Sequence, residues 1–559
     1  MQEVDYIIVG AGSAGCVLAN RLTEDREVRV CLIETGPPDR SWMIQMPAAF
    51  SRPLLSDRFN WAYRTLPEPY MDNRIMDCPR GRVLGGSSSI NGMCYIRGHA
   101  EDYNRWSVET GDPEWSYAHC LPYFRKSNTR LAGADDYHGG DGPLIVTTGS
   151  AENPLYQAFI EAGVQAGYGR TQDLNGFRQE GFCAMDMTVN MGVRWSTAKA
   201  YLDPVRSRRN LEIVQRTLVN SVIFEGNKAV GVELIKGRNL ESIRCSREVI
   251  VCGGAINSPQ LLSLSGIGRA GHLEKLGVPC IVDLPGVGEN LQDHLEVYVQ
   301  HRCKLPVSLY PALKFTTQAR VLLQWMVSKK GWGASNHFEA GGFIRSRAGV
   351  RHPDLQYHFF PVAANYDGRA PAKDHGFQAH VGPMRPTSRG YVRTVSTDPR
   401  QHPQIRFNYM ETENDRREIR DGIRLTREIF AQESFDAYRA EELAPGPDAQ
   451  TDADLDAFVR AKSESAYHPS CTCKMGVDEM AVVDSHGRVH GTENLRVVDA
   501  SVMPSIVSGN LNAPTIMLAE KLADTIRGRD PLKPSDAPSF LVESWQERQR
   551  ECDPDRPVG

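Results

Sequence analysis

The sequence predicts an α/β protein with a second lobe of α+β type. Three observations predict this fold class. A G-x-G-x-x-G stretch separates an apolar strand from a helix, an acid stands at the tip of the next strand, and residues 210–234 alternate as paired strands do. The chain of 559 residues is long enough for one large, two-lobed enzyme.

The first strand, turn and helix lie within DYIIVGAGSAGCVLANRLTED. Tyr6–Val9 form a short apolar run that is typical of a buried parallel strand. Gly10 permits a tight turn, Gly12 lets backbone approach a pyrophosphate, and Gly15 lets helix and strand pack closely. Glu34 ends the second strand, VRVCLIE, where an acid binds a ribose hydroxyl. The combination predicts a Rossmann-like dinucleotide site; the alternative is a glycine-rich turn in an unrelated α/β protein.

Composition argues against several classes of partner. The net charge is −5 and 24% of the residues are charged, so no general attraction to nucleic acid or anionic membrane is expected. The N-terminal residues do not resemble a signal peptide, and no apolar run reaches the ~18 residues of a membrane span. Thirteen scattered cysteines favour a reducing cytoplasm over a disulfide framework. The Pro-rich and charged residues 531–559 are predicted to form a C-terminal surface tail.

A second glycine-rich block, CPRGRVLGGSSSINGMCYIRG, runs from Cys78 to Gly98. It combines arginines, a glycine pair and three serines. Backbone of this kind is suited to lie against a flavin ring or a second stretch of phosphate. The alternative is a long surface loop.

Four blocks together carry a family resemblance: IIVGAGSAG, PRGRVLGGSSSINGM, GGAINSPQLLSLSGIG, and the pair AYHPSCTCKMG and RVVDASVMPSIVSGNLNAPTIM. With them the chain resembles the glucose–methanol–choline oxidoreductases, FAD enzymes that oxidise alcohols. The likeness extends from Tyr6 to about Gly528. The segments ASNHFEAGGFIRSR, LQYHFFPVAANYDG and LPGVGENLQDHLEVY are most similar to the bacterial choline dehydrogenases of that family.

The resemblance implies a discontinuous architecture. A Rossmann-like FAD-binding domain would be assembled from residues 1–153, 197–302 and 463–530. A substrate-binding domain with an antiparallel sheet would come from residues 154–196 and 303–462. The amphipathic pattern of DRREIRDGIRLTREIFAQ predicts a helix in this second domain.

The resemblance also implies the residues that contact FAD. They are Gly10, Gly12, Gly15, Glu34, Arg82, Gly85, Gly86, Ser87, Asn91, Gly92, Val219, Asp499, Ala500, Asn510 and Pro514. Members that bind flavin covalently carry a histidine after the serine run, and this chain has Ile90 there. We therefore expect FAD to be bound without a covalent link.

The block AYHPSCTCKMG permits three interpretations. Zinc needs four nitrogen or sulfur ligands, and one histidine with one C-x-C pair does not supply them, so no metal is expected. A C-x-C disulfide would be strained. The resemblance instead implies that His468 is the general base, because hydride transfer to flavin N5 also requires loss of the hydroxyl proton. Ser470 and Cys471 stand where the family has a small residue and glycine, which puts the shape of this loop in question.

Asn512 matches the partner of this histidine, which hydrogen-bonds the alcohol oxygen. It directly precedes APTIMLAEKLADTIRG, a predicted helix with Pro514 near its start. The alternative is therefore that Asn512 is an N-cap.

Choline carries a quaternary ammonium group, so its recognition requires aromatic faces and a countercharge. The aromatic candidates are Trp61, Tyr467 and Phe359, each with ordinary core packing as its alternative. Glu339 matches the acid that the family's choline enzymes place against the ammonium. Its alternative is a structural ion pair, for which Arg345 is the candidate partner.

The function expected from the resemblance is oxidation of a primary alcohol, foremost choline to betaine aldehyde, with the further step to betaine left open. The alternatives are an oxidase or dehydrogenase of neutral aliphatic or aryl alcohols, and a non-redox hydroxynitrile lyase. The sequence does not reveal the electron acceptor. The resemblance to bacterial choline dehydrogenases implies a respiratory quinone and so favours a dehydrogenase, with oxygen as the alternative acceptor. The oligomeric state is left open.

A basic segment raises the question of a membrane. No acidic residue occurs from Arg302 to Phe338, and KFTTQARVLLQWMVSKKGW interleaves basic with apolar residues. The ordinary interpretation is a helix packed on the substrate domain. The alternative is peripheral contact with the inner face of the cell membrane.

Overall fold

The computed structural model describes residues 4–237, 239–364 and 374–552. The helices in these ranges are α1 (Ser13–Leu22), α2 (Trp42–Gln45), α3 (Ser51–Leu54), α4 (Ala100–Thr110), α5 (Tyr117–Ser127), α6 (Pro154–Gln165), α7 (Gly254–Leu264), α8 (Ala270–Leu276), α9 (Phe315–Ser328), α10 (Glu413–Phe430), α11 (Asp452–Lys462) and α12 (Asn512–Ile526). None of the described helices combines the length and the apolar character that crossing a membrane requires.

The strands, in chain order, are β1 (Val4–Val9), β2 (Val30–Glu34), β3 (Tyr63–Arg64), β4 (Asp77–Cys78), β5 (Asn128–Arg130), β6 (Leu144–Thr148), β7 (Gly181–Ala184), β8 (Asp186–Met187), β9 (Val189–Asn190), β10 (Val193–Arg194), β11 (Leu211–Gln215), β12 (Leu218–Glu225), β13 (Lys228–Lys236), β14 (Asn239–Val251), β15 (Ile267–Gly268), β16 (Val282–Asp283), β17 (Leu295–Cys303), β18 (Ala340–Ile344), β19 (Leu355–Phe360), β20 (Gly376–Pro383), β21 (Tyr391–Arg393), β22 (Gln404–Arg406), β23 (Arg439–Ala444), β24 (Glu464–Ser465) and β25 (Leu495–Val497).

The first large sheet has the strand order β11-β2-β1-β14-β13-β12, and β25 also pairs with β14. Strands β11, β2, β1, β14 and β25 are parallel to one another, whereas β13 pairs antiparallel with β14 and β12 pairs antiparallel with β13. The central strands β1 and β2 are buried on both faces, which explains their continuous apolar runs. Helices α1 and α12 pack against each other beside this sheet. The α/β fold class predicted from the sequence is confirmed.

The second large sheet is antiparallel, with the order β23-β17-β20-β19-β18-β7, and β24 also pairs with β17. One of its faces is apolar and packs against α6 and α10 in a core that includes Val297, Val299, Tyr357, Phe359 and Phe377. The opposite face carries polar residues, because successive side chains of a strand point to opposite sides. The predicted boundary at residue 302 falls inside β17, which belongs to this second sheet.

The C-terminal segment 531–552, for which the sequence predicts a surface tail, contacts both lobes. Ser535 donates its backbone N–H to Ala118 O in the first lobe, and Phe540 donates to Phe177 O beside the second sheet. Further on, Arg550 forms an ion pair with Glu428 of α10. Composition alone does not indicate these backbone contacts or this ion pair.

Candidate active site

A cavity with a volume of about 260 Å³ lies between the two sheets. At one end it is bounded by the carboxyl ends of the parallel strands β1, β2 and β14. At the other end it is bounded by the polar face of the antiparallel sheet and by the loop that carries His468. Crevices beyond the carboxyl ends of parallel strands are where nucleotides bind in such folds.

The glycine turn after β1 shows why the sequence needs these residues. Gly10 has a φ of +105°, and a Cβ there would lie 2.5 Å from Cys252 O. A Cβ on Gly15 would lie 1.9 Å from Gly10 O, so α1 can approach β1 only without a side chain. The turn therefore brings bare backbone and the start of α1 to the cavity, which suits a pyrophosphate.

Glu34 lies at the end of β2 and lines the same part of the cavity. Its carboxylate accepts hydrogen bonds from Ala11 N at 3.0 Å and Gly36 N at 2.7 Å. Burial raises the pKa of Glu34 to about 7, and the two backbone N–H groups oppose that rise. These bonds fix the carboxylate where a ribose hydroxyl can reach it.

Eleven of the residues expected to contact FAD line the cavity: Gly10, Gly12, Glu34, Gly86, Ser87, Asn91, Gly92, Val219, Asp499, Ala500 and Asn510. The other four do not line it and have structural positions. Gly15 and Gly85 permit close backbone packing, and Pro514 lies in the first turn of α12. Arg82 donates to Asp57 O and lies over the ring of Trp61 at 5.5 Å. The cavity thus offers a continuous, glycine-lined cradle of the kind that a dinucleotide requires.

His468 lies in the cavity wall with both ring nitrogens hydrogen-bonded. Its Nδ1 is 3.0 Å from Nδ1 of His294, and its Nε2 is 3.1 Å from Nδ2 of Asn510. Burial, followed by His294, His358 and Arg80, holds the pKa of His468 well below its usual range. The imidazole is therefore neutral near pH 7, as a proton acceptor must be.

The hydrogen bonds also determine which nitrogen accepts the proton. His294 Nε2 lies 3.1 Å from the carbonyl oxygen of Met384, which can only accept, so this nitrogen carries the hydrogen. His294 Nδ1 then accepts from Nδ1–H of His468, and the lone pair of His468 is at Nε2. Asn510 donates to that lone pair. We infer that Nε2 is the basic atom of the site.

The loop around His468 is positioned by Asp293. The backbone N–H of His468 donates to Asp293 Oδ1 at 2.7 Å. Tyr409 and Ser465 donate their hydroxyl groups to the other oxygen of the same carboxylate. Burial raises the pKa of Asp293, while these hydrogen bonds lower it. Three donors on one buried carboxylate hold the loop in one arrangement.

Asn512 lines the cavity, but the structure does not place its side chain on His468. Its Oδ1 accepts from Ser13 Oγ at 2.7 Å, and α12 begins at Asn512 itself with Leu511 in the N-cap position. The N-cap interpretation of Asn512 is therefore wrong. The asparagine that contacts the histidine is Asn510, which the sequence had suggested only as a cofactor ligand.

The two cysteines of AYHPSCTCKMG are buried and belong to the core of the first lobe. Burial raises the pKa of Cys471 to about 12 and raises that of Cys473 as well. Both therefore stay protonated thiols, which are poor nucleophiles and metal ligands. Cys471 has a φ of +73°, which explains why glycine is usual at this position.

Two predicted substrate residues reach the cavity and two do not. Trp61 and Tyr467 line it. Phe359 points to the apolar face of the second sheet, where it stacks on Phe159 at 4.6 Å. Glu339 is not among the lining residues, because its carboxylate accepts from Ser150 Oγ at 3.1 Å, Ala151 N at 2.8 Å and Ser335 Oγ.

Arg345, the suggested partner of Glu339, pairs with Glu180 at 3.0 Å instead. The acid that lines the cavity on the side of the second sheet is Glu296, which is buried and lies 3.2 Å from His380 Nδ1. His358 lines it too, next to the misassigned Phe359. Side chains alternate between the two faces along β17 and β19, and this alternation could have placed Glu296 and His358 on the polar face.

Two family models described as GMC oxidoreductase match residues 4–296 and 386–519. The chain therefore belongs to the glucose–methanol–choline oxidoreductase family and is an FAD-dependent oxidoreductase. Among curated relatives, the oxygen-dependent choline dehydrogenases of Burkholderia multivorans and Serratia proteamaculans are both 59% identical to it. These matches cover 97% of this chain and 96% and 98% of the relatives.

Solved structures of the family have the same fold. Pyridoxine 4-oxidase from Mesorbium loti has a TM-score of 0.86 at 32% identity, covering 94% of this chain and 100% of that one. Formate oxidase from Aspergillus oryzae has a TM-score of 0.88 at 26% identity, covering 94% and 98%. The glycine cradle, Glu34 and the site of His468 fit the FAD that this family uses.

The buried histidines predict an acid-sensitive fold. Burial lowers the pKa of His99, His294 and His358 to about 4. Below pH ~6.5 these histidines take up protons in the unfolded chain but not in the folded chain. The free energy of unfolding therefore decreases as the pH falls below ~6.5, and these groups do not change it at higher pH. We expect a loss on the order of 1 kcal/mol per histidine one pH unit below 6.5.

The measurement is the thermal midpoint of the holoenzyme between pH 7.5 and pH 5. His358→Gln should flatten the acid slope, whereas His486→Gln, at an exposed position, should leave it unchanged. A midpoint independent of pH over this range would contradict the burial of neutral histidines.

Proposed function

We propose that the protein oxidises choline to betaine aldehyde. The observation that carries the proposal is the buried carboxylate of Glu296 in the wall of the cavity that also holds His468. The relatives named oxygen-dependent choline dehydrogenase support the same substrate. Bound FAD supplies the acceptor for the hydride that leaves the alcohol carbon.

Glu296 supplies the countercharge that a quaternary ammonium requires. Gln378 Nε2 lies 2.6 Å from His380 Nε2, and His380 Nδ1 lies 3.2 Å from Glu296 Oε1, so Nδ1–H can donate to the carboxylate. This contact orients the carboxylate. The ring of Trp61, stacked on Tyr63 at 5.8 Å, adds an aromatic face to the same cavity.

His468 takes the hydroxyl proton on Nε2. The alcohol oxygen replaces or joins Asn510 as the hydrogen-bonding partner of this atom, and the amide of Asn510 remains near enough to donate to the developing alkoxide. His294 accepts the Nδ1–H of His468 and so stabilises the imidazolium that forms.

His468→Ala tests the base. Loss of a general base typically costs about 10²–10⁴-fold in rate. We expect this loss in anaerobic flavin reduction by choline, measured by stopped flow, with the flavin spectrum retained. A variant that is reduced at close to the wild-type rate would remove His468 from this role, and a wild type that choline never bleaches would favour the lyase alternative.

Glu296→Gln tests the substrate. The substitution removes the charge of the side chain and keeps its shape. It should therefore weaken the binding of choline by at least about tenfold and leave the binding of the neutral isostere 3,3-dimethylbutanol little changed. Glu339→Gln is the matched control and should not discriminate between the two alcohols. Equal losses for both alcohols in Glu296→Gln would favour the alternative, a neutral aliphatic or aryl alcohol.

The mode of FAD binding is also part of the proposal. Ile90 is buried among Ile44, Phe59 and Val83, and its side chain offers no nucleophile to the cofactor. We expect acid precipitation of the holoenzyme to release yellow flavin into the supernatant. Flavin that remains with the pellet would show a covalent bond.

The reaction needs an electron acceptor, and we propose a respiratory quinone or oxygen reached beside a bilayer. The segment between Lys314 and Lys330 supports this site of contact. Helix α9 carries an outward apolar stripe of exposed residues, Phe315, Ala319, Leu323, Met326 and Val327, of which Phe315 and Val327 are 84% and 82% exposed. Its one buried residue is Trp325.

Basic residues flank this apolar stripe. Lys314, Arg320 and Lys330 are exposed, and among the described residues no carboxylate pairs with them. Anionic lipid complements this arrangement better than a second copy of a chain whose net charge is −5. The helix is also near the cavity, since Gln318 accepts from Arg52 of α3, and Leu54 of α3 lines the cavity.

Sedimentation with phosphatidylglycerol vesicles tests this contact. The protein should bind at low salt and be released at high salt, since each basic residue near such a surface contributes about 1 kcal/mol. Arg320→Glu with Lys330→Glu should abolish binding, and Lys275→Glu on α8 should not. A wild type that stays in the supernatant at low salt, or that pellets without vesicles, would reject the lipid assignment.

A further inference from the structure

Arg194 is a fully buried cation behind the cavity. It ends β10, the second strand of a short hairpin, and none of its side chain reaches solvent. Its guanidinium donates to Ile44 O at 2.8 Å, Ser88 O at 3.2 Å and Asn91 O at 2.7 Å. A further bond, from the same Nη1, reaches Asn91 Oδ1 at 2.8 Å.

All of these acceptors are neutral. Among the described residues no carboxylate pairs with Arg194, and its Nη2 has no hydrogen-bond partner. Burial alone lowers the pKa of Arg194 to about 9, so the side chain keeps its charge at pH 7. By contrast, buried Arg345 pairs with Glu180 at 3.0 Å. An uncompensated buried charge costs several kcal/mol, which calls for a compensating charge in the working enzyme.

The residues that Arg194 holds are part of the cavity wall. Ser88, Ile90, Asn91 and Gly92 all line it. The segment lies at the same end of the cavity as the base. Phe338 packs on Met93 and makes an edge contact with His358. Hydrogen bonds through Gln356 and Asn510 then link His358 to His468. The reacting ring of the cofactor must occupy this end, because the substrate contacts both the ring and the base.

We propose that Arg194 is the fixed counter-cation for negative charge on the flavin ring. The backbone of the cavity wall separates Arg194 from the cavity, so its charge would act on the ring across that backbone without any movement of the side chain. Arg194 is therefore a positioning and electrostatic residue rather than a group that touches substrate. Its guanidinium also orients the carbonyl and side chain of Asn91 against the ring. The inference does not depend on which alcohol the enzyme oxidises.

Sulfite is the probe. It adds through its sulfur electron pair to N5 of oxidised flavin, forming one S–N bond and leaving a negative charge on the ring, so its dissociation constant reports the stabilisation of that charge. In Arg194→Gln, which keeps a donor but loses the charge, we expect sulfite to bind at least about tenfold more weakly. The two-electron reduction potential should fall by about 30 mV for each tenfold change.

Two comparisons separate charge from structure. Arg194→Lys keeps the positive charge and should bind sulfite more tightly than Arg194→Gln, although both variants lose some of the hydrogen bonds that the guanidinium donates. Arg209→Gln, at an exposed position, should match the wild type. Equal sulfite constants in the wild type, Arg194→Lys and Arg194→Gln would overturn the proposal and leave Arg194 a structural residue.

A measurement on the wild type covers the case in which Arg194→Gln does not retain FAD. A buried charge is poorly screened, so the sulfite constant of the holoenzyme should stay nearly constant as salt is raised from low to high ionic strength. A constant that weakens steeply with salt would place the responsible charge at the surface and overturn the proposal.

Discussion

The hydrogen bond between the Nδ1 atoms of His294 and His468 joins the two lobes at the point where the chemistry takes place. His294 immediately precedes β17 of the antiparallel sheet, and His468 follows β24 on the way to the first lobe. Because Met384 O accepts from the other nitrogen of His294, the proton arrangement of the pair is determined by backbone that directly follows β20 of the second sheet. The basic lone pair of His468 thus depends on the register of a sheet that contributes no strand to the nucleotide fold.

The polar face of that sheet explains why this arrangement is stable. Buried polar groups must be paired, and here side chains of neighbouring strands pair with one another: Gln300 donates to Gln378, and Gln378 donates to His380. The network ends at Glu296. The buried carboxylate of Glu296 in this wall favours a cation, whereas a neutral alcohol would leave that charge without a counterpart.

The nucleotide half of the site could be predicted from the sequence and the cation half could not. Gly10, Gly12 and Glu34 are neighbours along one strand–turn–helix unit, so spacing alone places them together. Glu296, Glu339, His358 and Phe359 lie on strands whose pairing is not local. Phe359 and His358 are adjacent in sequence yet face opposite sides of the sheet, and a match to a family segment does not determine which side is which.

Asn510 and Asn512 show the same limit on a smaller scale. Both stand in SGNLNAPT, and the sequence alone favoured Asn512 for the histidine and suggested a helix cap as its alternative. The structure begins α12 at Asn512, which directs its side chain to Ser13 of α1 and leaves Asn510 for His468. A shift of two residues at a helix start changes which amide meets the base, and hydrophobic periodicity does not resolve helix starts that finely.

The loop that carries the base holds backbone strain as well as the histidine. Tyr467 and Cys471, on either side of it, have φ values of +62° and +73°, a region that costs side chains of this kind roughly 1 kcal/mol or more each. The conformation persists because Arg80 donates to Tyr467 O at 2.6 Å and Asp293 accepts from His468 N at 2.7 Å. With two bonds holding the backbone and two holding the ring, the imidazole reaches its reactive orientation before substrate arrives, so binding energy need not be spent on ordering it.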